Sequence, residues 1–273
     1  MNPTEFWVAT MNLGSQAWMN IRRRHKVLCR VYGDTDAELI GFQEFNPDYQ
    51  AFLQGLRPEI NFVMGIQPDE VDINLNPIGY YYDRFSPLFR ETIFLSDNGE
   101  AKVSWDAYGI RAATCAKFKD ATADKEFVLL NMHLDNKGEQ ARTESVGLII
   151  AYLENNFPDL PTIITADSNT SVNSPLSELW TGEKREPYNL LLKAGYSDCW
   201  VETHEMDPTR PLTYHSFQGE DYRFNVDQYG TWDTEWIFVK GFQPLNCVLI
   251  RDNYGGTFPS DHYWMKAQLD YEP

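Results

Sequence analysis

The stretch PTIITADSNT, residues 161 to 170, constrains this chain more than any other. Its first half is an uncharged, β-branched run, the pattern of a strand covered on both faces. The run then ends on an acid and an amide. Asp167 and Asn169 stand two residues apart, so on extended chain they point to one face. Asp, Ser, Asn and Thr are also common turn residues whose side chains bond their own backbone. Taken alone, the ending describes a polar turn, and the rest of the chain has to decide whether it is more.

Related segments recur: EFWVATMNL, ELIGFQEF, NFVMGIQ, NPIGYYYDRF, RAATCAKFK, EFVLLNMHL, TEWIFVK and YWMKAQLDY. Each is short, rich in β-branched or aromatic residues, and bounded by Gly, Pro, Asn or Asp. Helical periodicity falls between them, over Gln16 to Tyr32, Pro47 to Leu56, Glu139 to Asn155, Ser174 to Leu179 and Pro187 to Ala194. With no repeat, low-complexity tract or Pro/Ser-rich linker, the pattern predicts one domain over residues 1–273. Its fold class is α/β, a four-layered sandwich of two packed, mainly antiparallel β-sheets flanked by helices.

Charge narrows the partners. Against 40 acidic residues stand 23 basic ones, a net charge of -17, and such a protein repels phosphate chains at long range. The one basic cluster, IRRRHKVLCR, has helical spacing and reads as the outer face of a helix. No apolar run approaches the roughly 20 residues of a membrane helix, and MNPTEFWVATMNLG lacks the basic and apolar regions of a signal peptide. The expectation is a soluble, cytoplasmic monomer without membrane insertion. Cys29, Cys115, Cys199 and Cys247 are scattered singly, which predicts reduced core thiols and no zinc site.

Polar residues that end apolar strands carry the functional signal, because an unpaired charge there is costly and needs a partner or a metal. They are Asn12 in TMNLG, Glu44 in GFQEF, His133 in NMHLDN, Asp167 and Asn169, Glu235 in DTEWIFVK, and Asp261 with His262 in PSDHYW. Singly, Glu44 reads as a capping acid and His133 as a core histidine. Together they form an ordered series.

That series, MNL, FQEF, NMHL, TADSNT, TEWIFV and PSDH, resembles the endonuclease/exonuclease/phosphatase superfamily of magnesium-dependent phosphoesterases, and it spans residues 11 to 262. The resemblance implies a phosphoester, and more narrowly phosphodiester, hydrolase in which water attacks phosphorus in line. Magnesium, with manganese as a substitute, would be held by Glu44, Asn12 and Asp261, since one or two carboxylates suffice for this ion. Asp167 would orient or activate the water, and Asn169 would donate to a non-bridging oxygen. His133 would contact the phosphate, and His262 would act as general base or phosphate ligand, oriented by Glu235. Arg111, Arg142 and Asn131 are candidate phosphate contacts, the arginines because guanidinium matches phosphate bidentately.

Two positions depart from the family pattern. Glu235 stands where aspartate is usual, with Asp233 as an alternative support for His262, and Asn74 stands where a glutamate commonly buttresses His133. The substrate is a small molecule or nucleic acid; the acidic balance favours a small phosphodiester or a nucleotide-containing molecule over polymeric DNA. A nuclease or deadenylase, or a phosphate-binding module impaired in catalysis, are the alternatives. Aromatics around Tyr80 to Tyr82, Trp105, Tyr108, Tyr214, Phe217, Tyr222 and Phe224 are candidates to stack a base or sugar, or else core.

Overall fold

Side-chain alternation builds the layers. In the computed structural model the described residues are 3–14, 21–46, 48–65, 76–171, 185–207, 209–222 and 233–273. One sheet holds β1 (Phe6–Asn12), β2 (Leu39–Gln43), β3 (Ile60–Val63), β4 (Ile78–Tyr81), β11 (Phe242–Ile250) and β12 (Trp264–Tyr271), in the order β11-β12-β1-β2-β4-β3. The other holds β5 (Phe85–Phe94), β6 (Ala112–Asp120), β7 (Lys125–His133), β8 (Thr162–Asp167), β9 (Ser197–Asp198) and β10 (Glu235–Lys240), in the order β5-β6-β7-β8-β10-β9. Each sheet is antiparallel apart from one parallel pair, β1 with β2 and β7 with β8.

Successive residues of the central strands serve different layers. Phe127 and Leu129 face the other sheet and pack with Phe6, Val8, Leu39, Phe85 and Ile163. Their neighbours Val128 and Leu130 face outward, where α3 (Glu139–Asn156) and α4 (Glu186–Lys193) cover them with Val146, Ile149, Leu153, Tyr188 and Leu191. On the first sheet, Ala9, Met11, Ile40 and Phe42 lie under α1 (Ile21–Gly33) and α2 (Asp48–Leu56). Layers of helix, sheet, sheet and helix result, as the sequence predicts.

Along the inter-sheet seam the same face changes character. The positions in phase with Phe6 and Val8 become Thr10 and Asn12; those after Phe127 and Leu129 become Asn131 and His133; those after Ile163 become Thr165 and Asp167. Midway, Gln43 Nε2 donates to Thr10 Oγ1 at 3.0 Å and to Asn131 Oδ1 at 2.7 Å, and Thr165 Oγ1 donates to Asn131 Oδ1 at 3.0 Å. Gly41 faces this knot: a Cβ there would lie 2.1 Å from Thr165 Oγ1 and 2.6 Å from Asn131 Oδ1. The sheets approach closely at this point because that residue has no side chain.

At the other end of the seam, Arg84 donates from Nε and Nη2 to Asp120 at 3.1 and 3.0 Å, and from Nη1 to Glu38 at 3.3 Å. Its remaining donors meet the carbonyls of Glu5 and Thr4, and Tyr271 Oη donates to Asp120 at 3.2 Å.

Several expectations need correction. Strands β5 and β11 carry no clear apolar alternation because they are sheet edges with largely exposed middles. Arg24, from the basic cluster, turns inward: it is buried and donates to the carbonyls of Leu13, Gly14 and Pro259 and to Tyr49 Oη. Cys115, Cys199 and Cys247 are buried and free, whereas Cys29 is only half-buried. The helix foreseen from Gln16 runs over Ile21–Gly33 among the described residues, and the one foreseen over Ser174 to Leu179 lies outside them, as does Asn74. No helix among the described residues is long and apolar enough to cross a membrane.

Candidate active site

Strand register brings the polar ends together. In the second sheet Asp167 of β8 pairs with His133 on one side and Glu235 on the other. From the first sheet Asn12, at the end of β1, reaches across: its Nδ2 donates to Asp167 Oδ2 at 2.7 Å and to Glu44 Oε1 at 3.4 Å. Its Oδ1 accepts the Gly14 N–H at 2.8 Å, so the whole amide is hydrogen-bonded and its bond to Asp167 joins the two sheets.

Asp167 is the hub. Its Oδ2 lies 3.5 Å from His133 Nε2 and 3.9 Å from His262 Nε2, and its Oδ1 accepts the Asn169 N–H at 3.1 Å. Burial opposes ionisation, yet the two histidines and the N–H donors of Asn12 and Asn169 hold this carboxyl below the usual range. His262 Nδ1 donates to Glu235 Oε1 at 2.5 Å. Burial alone would lower the His262 pKa, but the carboxylates of Glu235 and Asp167 raise it well above the ordinary histidine value. Glu235 therefore makes the contact expected of a shorter aspartate. Asp233 is committed elsewhere, accepting from Arg210 Nε at 3.1 Å and Ser171 Oγ at 2.8 Å.

His133 is shifted the other way. Burial lowers its pKa, and so does the Arg111 charge, against the pull of Asp167. Asn169 Nδ2 donates to Leu134 O at 3.0 Å and lies 2.9 Å from His133 Nε2. An amide donating to both makes Nε2 the acceptor, which leaves the proton of a neutral ring on Nδ1. That buried Nδ1 has no hydrogen-bond partner among the described residues.

His133, Asp167, Asn169 and His262 form the floor of a cleft of about 590 Å³, also lined by Glu44, Asp261, Arg111, Asn136, Lys137 and the segment Tyr214 to Tyr222, with Asn12 and Glu235 buried just beneath. Backbone strain marks the same place: among the described residues, Glu44, Asn169 and Ser216 are non-glycine lining residues with φ of 51°, 48° and 47°. Asp135, which sequence reasoning did not single out, accepts from Lys137 N at 2.9 Å, Gly138 N at 2.8 Å and Arg111 Nε at 3.1 Å. Burial works against its charge, but those donors and Arg111 lower its pKa to about 2. Its signal was its place two residues beyond His133. Arg210, buried and joined to Asp198, Asp233 and the Glu235 carbonyl, had no sequence signal at all.

Two candidates lie away from the cleft. Asn131 is buried in the inter-sheet knot, with Nδ2 donating to Phe42 O at 2.7 Å and Pro77 O at 3.1 Å, so it has no free face for a phosphate. Arg142 points under the loop, donating from Nη1 to Asp135 O at 2.9 Å. Of the candidate aromatics, Tyr214 and Tyr222 line the cleft; Tyr80 and Tyr81 pack against the core, and Phe224 lies outside the described residues.

An oxygen-rich donor set suits a hard divalent cation. Glu44, Asp167 and Asp261 supply carboxylates to one cleft, and the first two share the Asn12 amide. Ligand-type atoms of Asp167, Glu235 and His262 also fall within 4.8 Å of one another. The 2.5 Å contact of His262 Nδ1 with Glu235 leaves no space for an ion between those two, and His262 Nε2 lies 3.9 Å from Asp167 Oδ2.

No protein-family model and no curated protein matches the chain. Solved structures do. An endonuclease/exonuclease/phosphatase from Bacteroides vulgatus is 24% identical with a TM-score of 0.81, over 98% of this chain and 100% of that one. A mannosyl-6-phosphatase from Bacteroides thetaiotaomicron is 21% identical with a TM-score of 0.81, over 97% and 100%. TDP2 of D. rerio, complexed with a single-strand DNA product, is 17% identical with a TM-score of 0.76, over 98% and 99%. The chain has the endonuclease/exonuclease/phosphatase fold, as its motif order implies.

Proposed function

We propose that the chain is a metal-dependent phosphoester hydrolase. The observation that carries this reading is the convergence of Asn12, Glu44, His133, Asp167, Asn169 and His262, drawn from both sheets, on one cleft. The named activities of its structural neighbours, a phosphatase among them, support it.

Asp167, ionised and fixed by Asn12, accepts hydrogen bonds from a water and orients its lone pair toward phosphorus. His262, protonated through its contact with Glu235, donates to a phosphoryl oxygen or returns a proton as the ester bond breaks. Arg111 turns its outward guanidinium edge toward the non-bridging oxygens as charge builds on them, and Asn169 donates to them by exchanging its bond to His133 Nε2 for one to the phosphoryl group. A magnesium ion, or manganese in its place, would be held by Glu44 and Asp261, with Asn12 positioning Glu44, and supplies Lewis-acid polarisation of the phosphoryl group when bound.

The test is hydrolysis of bis(p-nitrophenyl) phosphate and of a panel of nucleotide, lipid and sugar phosphoesters, with magnesium and with EDTA. Turnover that EDTA abolishes is the expected result. Tight phosphate-ester binding with no turnover at saturating magnesium would identify a binding module instead.

A further inference from the structure

The walls of the cleft differ in chemistry. Arg111 and Lys137 bring the only side chains of arginine or lysine to it among the described lining residues, from the loops flanking β6 and β7. The segment from Tyr214 to Tyr222 brings Tyr214, Ser216, Gln218 and Tyr222, every one an uncharged hydrogen-bonding group.

That segment is held rigidly, and by the strands that carry the reactive residues. Thr213 Oγ1 accepts the Thr234 N–H at 2.8 Å, and Thr213 O accepts the Tyr263 N–H at 2.8 Å. His215 and Ser216 donate their N–H groups to Asp261 O at 2.8 and 3.1 Å. The turn that follows has φ of 47° at Ser216, 61° at Phe217 and 63° at Gly219, and a Cβ at Gly219 would lie 2.3 Å from the Phe258 ring. Left-handed backbone at two successive non-glycine residues persists only where the surroundings enforce it. Here its effect is to aim Ser216 and Gln218 into the cleft.

We infer that this segment is the specificity wall for the alcohol half of the substrate, and that this half is an uncharged, polyhydroxylated ring of hexose size. The inference rests on the phosphoester-hydrolase reading above. A polynucleotide requires a track of cations, which neither this wall nor a net charge of -17 supplies. A single base is gripped by ring faces, but Tyr214 and Tyr222 stand edge to face at 5.7 Å and 81°, and Tyr214 is also edge to face with His262 at 5.0 Å. These rings offer no parallel clamp. Hydroxyls and an amide along one wall match a polyol, and about 590 Å³ is the volume of a small-molecule site.

The test compares kcat/KM, at saturating magnesium, for a hexose 6-phosphate and for cyclohexylmethyl phosphate, its hydroxyl-free analogue, each also offered as the methyl diester. A site built around hydroxyls rejects the analogue, so the expected preference is at least about 100-fold. Gln218→Ala and Tyr222→Phe should each reduce that ratio by about tenfold, the worth of one hydrogen bond. Equal kcat/KM for the matched pair, or a nucleoside 5′-phosphate preferred over the hexose ester, would overturn the inference and leave the hydrolase standing. No hydrolysis of these esters or of bis(p-nitrophenyl) phosphate would overturn both.

Discussion

The inter-sheet seam buries charge at both of its ends, and the two ends treat it differently. At the Arg84 end the charges are closed on one another: each guanidinium nitrogen has an acceptor, and Asp120 is met by Arg84, Tyr271 and the N–H groups of Thr122 and Ala123. At the Asp167 end the groups are equally buried but face an open cleft, and His133 Nδ1 has no partner among the described residues. A closed cluster stabilises the sandwich. An open one holds ionised groups in place for something that arrives from outside.

This contrast can be broken by substitution at each end. The largest effect belongs to the open end: Asp167→Asn keeps the side-chain volume and removes the hub charge, and should cut kcat by at least about 1000-fold, about 4 kcal/mol of barrier. Because the fold holds this carboxyl below the usual range, the substitution should also lower the thermal melting temperature, so kcat is read per folded molecule. A retained wild-type rate would mean that the water is oriented elsewhere. At the closed end the readouts exchange. Asp120→Asn leaves Arg84 buried with only Glu38 as a charged partner and should cost about 3 kcal/mol in urea denaturation, with kcat per folded molecule unchanged. The smallest effect tests a carboxylate beside the open end that is itself closed by its donors. Asp135 has a pKa of about 2, below the ordinary value near 3.9, so its stabilisation is complete above about pH 4 and is lost as pH falls toward 2. Asp135→Asn should therefore lower stability by about 2 kcal/mol at pH 7 and by almost nothing near pH 2, as read from denaturation at both pH values.

Much of this was legible because strand periodicity is simple. Asn131 with His133, Thr165 with Asp167, and Thr10 with Asn12 each continue the phase of an apolar inward face, so the polar end of the seam could be read residue by residue. The same rule shows why Asn131 misled. It shares the face of His133 but lies one step deeper, where the first sheet is too close to admit a ligand. Strands β5 and β11 escaped because an edge strand has little to bury. Arg24 and Arg210 escaped for a different reason: a buried arginine is identified by the carbonyls and carboxylates around it, and those of Arg24 come from as far away as Pro259.

Gly41 gives the seam one more meaning. The polar groups of the cleft arrive on separate sheets, and the gap between them is set where Gly41 meets Thr165 and Asn131, in a space too small for a methyl group. The bond from Asn12 to Asp167, at 2.7 Å, lies farther along the same seam. Gly41 thus works as a spacer of zero thickness: the reach between Asn12 on one sheet and Asp167 on the other is calibrated from inside the protein, by an atom that is left out.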